Sequence, residues 1–138
     1  NYQLIGDLAS EGIPLNVTAV FTVNQTSNVL TALMKSKAPC IISIFAGRIA
    51  DTLVDPEKIV KECIDLKIPD LDKKKKFLWA SCREVFNFVQ AERSGCDIIT
   101  MTPDQIKKFN LKGKDLHEYS RETVEMFYND AIKSGFTL

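Results

Sequence analysis

Cys40-Ile41-Ile42-Ser43-Ile44-Phe45-Ala46 decides the fold: the run is short, almost continuously apolar and stopped upstream by Pro39. Such a run reads as a strand covered on both faces, the kind found in parallel sheets. Upstream, Leu15-Asn16-Val17-Thr18-Ala19-Val20-Phe21 follows a Gly12/Pro14 breaker and is rich in β-branched and aromatic residues, so it reads as a preceding strand. Between the two, Asn24 or Thr26 is expected to cap a helix reaching about Lys37, with Val29, Leu30, Leu33 and Met34 on one face.

The same alternation continues downstream. Asp55-Pro56 is an N-cap followed by proline at the first helical position, and Ile59, Val60, Cys63 and Ile64 carry the apolar stripe. Phe77-Leu78-Trp79-Ala80 is the third predicted strand, Ser81-x-x-Glu84 has capping-box spacing, and Val85, Phe86 and Val89 lie on the helix this predicts, closed by Gly95. Asp97-Ile98-Ile99-Thr100 is the fourth strand, Thr102-Pro103 opens a short helix, and a long helix is expected from about Asp115 to Lys133. The first residues, Tyr2 to Glu11, also read as helical, so the chain is expected to start partway through a larger design.

Strands alternating with helices at this spacing place the chain in the α/β class with parallel βαβ units. A complete eight-unit barrel takes about 250 residues, and 138 residues hold about half of that. An open doubly wound sheet is the other arrangement, but neither the Rossmann nor the Walker glycine pattern is present. The expected fold is therefore the C-terminal half of a (β/α)8 TIM barrel: four parallel strands with flanking helices and a long C-terminal helix, in one partial domain over residues 1–138.

Composition narrows the function. Equal numbers of acidic and basic residues, 18 of each, argue against a nucleic-acid partner. No apolar run approaches the roughly 20 residues that span a bilayer, and no signal peptide is recognisable; no membrane partner is expected, and the cytoplasm is the expected location. Cys40, Cys63, Cys82 and Cys96 lack metal-ligand spacing and read as reduced thiols, so no metal is expected. Two Asn-x-Thr triplets, at Asn16 and Asn24, match the glycosylation pattern but read as coincidental.

Polar residues punctuate the strand ends. Asn16 and Thr18 share a face by strand alternation, as do Ser43 and Phe45, and active sites of barrels lie at the C-terminal ends of strands. Asn16 and Thr18 fit such a site, or local hydrogen bonding in a partly polar core. Arg83, two residues after Ser81, is expected in the first turn of a helix, where the macrodipole disfavours a cation unless an anion binds nearby. Arg48, after Gly47 and the second strand, would bring a second guanidinium fork suited to phosphate. The alternative is that Arg83 pairs with Glu84 or Asp97 and Ser81 only caps. Lys73 to Lys76 read as a solvated turn on the opposite rim, His117 as a surface or helix-start residue, and Cys82 as a packing residue without a base. No lysine is expected inside a strand.

These pieces form a series: Gly12-Ile13 leading into Asn16-Val17-Thr18-Ala19-Val20-Phe21-Thr22 with Gln25, then Ser43-Ile44-Phe45-Ala46-Gly47-Arg48-Ile49 with Asp51, Ala80-Ser81-Cys82-Arg83, and Gly95-Cys96-Asp97-Ile98-Ile99-Thr100. In order and spacing the series resembles the C-terminal half of transaldolases and fructose-6-phosphate aldolases, over essentially the whole chain. The resemblance implies dihydroxyacetone transfer from a ketose phosphate to an aldose phosphate, through a lysine Schiff base on a strand outside this chain. It implies an enzyme of carbohydrate metabolism, in the pentose phosphate pathway, that needs no cofactor. Asn16 would hydrogen-bond the carbinolamine, Thr18 would help hold the catalytic water, Ser43 would contact substrate, and Arg48, Ser81 and Arg83 would hold the phosphate. Cys82 stands where the family more often has an aromatic residue, and Ile44 where many members have proline.

The expected partners are a sugar-phosphate substrate and either further copies of the chain or the missing half-barrel. A second function class is open: a non-catalytic sugar-phosphate-binding half-barrel or structural fragment that dimerises through its open edges.

Overall fold

In a computed structural model, which describes residues 1–69 and 71–135, four strands form one parallel sheet: β1 (Leu15–Val20), β2 (Cys40–Ile44), β3 (Lys75–Trp79) and β4 (Ile98–Ile99). Their order in the sheet, β1-β2-β3-β4, is their order in the chain. Helices α1 (Tyr2–Ser10), α2 (Val23–Ala32), α3 (Ala46–Ala50), α4 (Pro56–Asp65), α5 (Asn87–Ser94) and α6 (Pro103–Lys107) separate and flank the strands. Four parallel strands with flanking helices make an α/β arrangement, that of one half of a (β/α)8 barrel.

Strand alternation sorts the sheet into two faces. Val17, Ile42, Ile44, Phe77 and Trp79 belong to one apolar cluster with Ala9 of α1, Val29 and Leu30 of α2, Ile49 of α3, Val60 and Cys63 of α4 and Ala91 of α5. Residues one step out of phase with these, Asn16 and Thr18 on β1, Ser43 on β2 and Leu78 on β3, lie outside that cluster, so the helices pack on one face and leave these four on the other.

Local signals explain most boundaries. Asn1 accepts from the Leu4 N–H to open α1, and Asp55 accepts from Glu57 N–H ahead of Pro56 to open α4. Helix α2 is capped by neither Asn24 nor Thr26 but by Thr22, two and four residues earlier: Thr22 Oγ1 accepts from Gln25 N–H, and Gln25 Oε1 accepts from the N–H groups of Thr22 and Phe21. Gly95, at φ 82°, ends α5 in the left-handed conformation that glycine adopts at least cost.

Two expectations are corrected. The capping box Ser81-x-x-Glu84 does not form. Ser81 takes a left-handed backbone (φ 64°), residues 82–86 are non-helical, and α5 starts at Asn87. Arg83 therefore lies in a strand-to-helix loop and not in a helix first turn. The lysine run is not a solvated turn throughout, and lysine does occur inside a strand: Lys75 and Lys76 open β3. Lys75 is only 2% exposed and is paired with Asp72, which also accepts from the Ile68 N–H. An ammonium in that position is tolerated only because a carboxylate is buried with it.

The chain divides into two compact units, Asn1–Ile106 and a second beginning at Lys107. The second contains a short 3-10 turn (Lys108–Leu111) and α7 (Leu116–Lys133), capped by Asp115, which accepts from the Glu118 N–H. His117 falls in the first turn of α7 and is exposed. Within this unit Lys114 pairs with Glu122 at 2.7 Å.

Candidate functional site

Parallel strands end together, so the segments that leave their C-terminal ends gather on one rim. Ser43, buried in β2, donates from Oγ to Asn16 Oδ1 on β1 at 2.7 Å, on the sheet face opposite the apolar cluster. This bond orients the Asn16 amide, leaving its Nδ2 donors directed elsewhere. Thr18 follows Asn16 on the same face and is exposed. Directly after it the β1–β2 register shifts, with Ala19 at φ 58°, a left-handed alanine that kinks the strand end.

Arg48 sits on α3, which begins immediately after β2. Its guanidinium carbon lies 5.9 Å from the centre of the Phe45 ring, which itself packs against Phe21 at 5.8 Å. The Arg48 segment and the Ser81–Arg83 loop are held against each other. A β-carbon at Gly47 would stand 1.6 Å from the Ser81 carbonyl oxygen and 3.1 Å from its Oγ, so only glycine fits between Arg48 and the end of β2. Arg83 Nη2 then donates to Asp51 Oδ2 at 2.6 Å, from the loop to the C-terminal cap of α3.

The Ser81–Arg83 loop is fixed at its backbone as well. Asn87 Oδ1 accepts from the N–H groups of Arg83 (2.8 Å) and Glu84 (3.2 Å), and Gln105 Nε2 donates to the Cys82 carbonyl at 2.9 Å. Ser81, Cys82, Thr100, Met101, Thr102 and Gln105 line an open pocket of about 250 Å³ beside this loop. Burial pushes the Cys82 thiol up to about 11, so it is protonated near neutrality, in keeping with packing and not with nucleophilic attack.

Asn16, Thr18, Ser43, Arg48, Ser81 and Arg83 thus fall into two groups: a bonded pair, Asn16 and Ser43, with Thr18 alongside, and two arginine-bearing segments joined by the Gly47–Ser81 and Asp51–Arg83 contacts. Arg83 pairs with neither Glu84 nor Asp97, the partners that the sequence suggests; Asp97 instead accepts from Lys76 Nζ at 3.0 Å. Sequence reasoning placed Asp51 beside the arginines without a role and missed Asn87 and Gln105. No sequence signal points to the cap-like bond of Asn87, because a helix expected from Ser81 places this residue in its interior, whereas α5 begins at Asn87. Among the described residues no group of three or more His, Cys, Asp or Glu side chains could hold a metal ion, and no helix is long and apolar enough to cross a membrane.

A parallel half-barrel with polar side chains and arginines at the C-terminal ends of its strands has the layout of the (β/α)8 enzymes. The chain belongs to the transaldolase/fructose-6-phosphate aldolase family, whose model matches residues 1–138. It is similar to a probable transaldolase of Nitrosopumilus maritimus, 36% identical over 104 residues, covering 73% of this chain and 43% of the relative. A probable transaldolase of Cereibacter sphaeroides is 34% identical over 132 residues, covering 95% of this chain and 55% of that protein, and one of Rhizobium meliloti is 31% identical over 129 residues, covering 93% and 54%. The chain spans about half the length of the curated relatives it matches.

Proposed function

We propose that this chain supplies the phosphate-binding half of a transaldolase-type site, in which dihydroxyacetone passes from a ketose phosphate to an aldose phosphate through a lysine Schiff base located outside the chain. The observation that carries this reading is the Gly47–Ser81 contact, which brings the Arg48 turn and the Arg83 loop together at one strand-end rim. Two guanidinium forks and a serine hydroxyl there suit a dianionic phosphate. Asn16, oriented by Ser43, would hydrogen-bond the carbinolamine or its hydroxyls, and Thr18 would help hold the water that opens it; Ser43 would contact the substrate through that arrangement.

The nucleophile is the missing part. Lys75 and Lys76 sit at the N-terminal end of β3, whereas Ser81 and Arg83 follow its C-terminal end. Lys75 is also committed to Asp72, so neither lysine stands where a bound ketose would present its carbonyl. The free edges of β1 and β4 would be closed by the other half-barrel or by a second copy of the chain, which are the protein partners of this reading.

Calorimetry with fructose 6-phosphate tests the site: binding that is lost in Arg83→Ala and in Arg48→Ala is expected, and an absence of heat in the wild type would overturn it. Borohydride treatment with the same sugar tests the nucleophile. An unchanged mass near 15.5 kDa is expected, and a three-carbon adduct would place a competent lysine in this chain. The position of both strand lysines away from the rim also favours a second reading, a sugar-phosphate-binding half-barrel without chemistry. Turnover on supplying the complementary half-barrel separates the two.

A further inference from the structure

We infer that Asp51 is a positioning residue that holds the Arg83 guanidinium ready for an anion and so sets the preference for phosphorylated over unphosphorylated ligands; this rests on the phosphate-site reading above.

The Arg83 backbone is already fixed before its side chain is considered. Asn87 takes its N–H and that of Glu84, is itself buried, and anchors its own amide by donating from Nδ2 to Gln90 Oε1 at 2.8 Å. Gln105 holds the preceding carbonyl. The freedom left is that of the arginine side chain, which is long, rich in rotamers and 53% exposed. Ordering such a side chain at the moment of binding lowers affinity unless something has ordered it beforehand.

Asp51 is placed to do this. Its own backbone is tied down as the cap of α3, with its N–H bonded to Gly47 O at 3.1 Å, the residue in contact with Ser81. The backbones that carry carboxylate and guanidinium are therefore both referenced to the same close contact. The bond uses Nη2 alone, and a guanidinium carries five N–H donors, so most of the fork stays available to a phosphate. A carboxylate beside an anion site also repels the anion. Here both partners are about half exposed, so water screens that repulsion, and the ordering of Arg83 decides the sign.

The test compares wild type with Asp51→Asn, an exposed substitution that leaves the fold in place, by titrating fructose 6-phosphate and fructose. Affinity for the phosphorylated sugar is expected to fall about 1.5- to fivefold, the range of one exposed ion pair, while affinity for fructose stays unchanged. Phosphorylated-sugar binding as tight as wild type, or tighter, would overturn the inference, as would an equal loss for both sugars, which would mark a merely structural effect. Exchange of the Arg83 Nη–H protons, followed by NMR without ligand, keeps this separate from the site reading. Faster exchange in Asp51→Asn is expected even if no sugar binds, and equal exchange in the two proteins would overturn the positioning role by itself.

Discussion

Gly47 and Ser81, 34 positions apart in the chain, touch so closely that the glycine's missing side chain is occupied by the serine carbonyl, 1.6 Å from where a β-carbon would be. The obstacle is backbone, which cannot swing aside as a side chain could. Gly47→Ala is expected to destabilise the protein by about 1–3 kcal/mol or more, and to displace Ser81. Gly6 provides the control, since a β-carbon there meets only Ala32 O at an ordinary 3.6 Å. Gly6→Ala, inside α1, should stabilise by about 0.5–1 kcal/mol. Thermal melts of the two variants are expected to move in opposite directions.

The Lys75–Asp72 pair is a second place where one atom's removal is costly. Lys75→Met leaves the Asp72 carboxylate buried with the Ile68 N–H as its remaining partner among the described residues, and a loss of about 3–5 kcal/mol is expected. Asp72→Ala strands both the ammonium and that N–H and is expected to cost more. Urea unfolding midpoints rank the two variants. Replacing both residues by apolar ones of similar volume should recover much of the loss.

At the start of α2, Thr22 and Gln25 satisfy each other reciprocally. Thr22→Ala is expected to cost about 1 kcal/mol and Gln25→Ala about 1–2 kcal/mol, the latter because Phe21 N–H also loses its acceptor. The double variant should cost less than the sum, because either single change already dismantles the box. A double-mutant cycle by chemical denaturation measures that difference.

Alkaline pH should weaken the fold through its thiols. Burial, then the neighbouring Asp97 carboxylate, pushes the Cys96 thiol up to about 12, and burial raises that of Cys63. A raised pKa in the folded state means that the unfolded chain releases these protons first. The stabilisation is therefore complete below the unfolded value and is lost as pH climbs from about 9 towards 12. The steepest slope for one thiol is ~1.4 kcal/mol per pH unit. Cys96→Ser or Cys96→Ala should flatten the pH dependence of the unfolding free energy above pH 9, and an unchanged slope in both would show that another group sets it.

Hydrophobic runs and caps carried most of the fold. The apolar run Cys40–Ile44 and the alternation in Leu15–Val20 are local, so both strands were legible, as were Asp55-Pro56 and Gly95. The third unit misled because Ser81-x-x-Glu84 has cap spacing, whereas Ser81 adopts a left-handed backbone and packs against Gly47, 34 positions away, which no local pattern encodes. Lys75 misled for a related reason: its burial depends on cover from elsewhere and on Asp72, and four consecutive lysines look solvated. At the candidate site, residue types at strand ends were legible, but the partner of Arg83 was not. Asp51 lies 32 positions away, and only the packed βα units show that the two segments meet.

Because the strands lie side by side in the sequence in which a ribosome makes them, each new strand finds its neighbour already in place. Within this sheet each strand pairs with the one made before it, and the connection closed at each addition holds one or two helices, which favours quick, stepwise assembly over a search among remote partners. The same arrangement makes the architecture modular: a cut between successive units would sever one strand pairing and leave the others intact, so shuffling, duplicating or rejoining such units is mechanically simple.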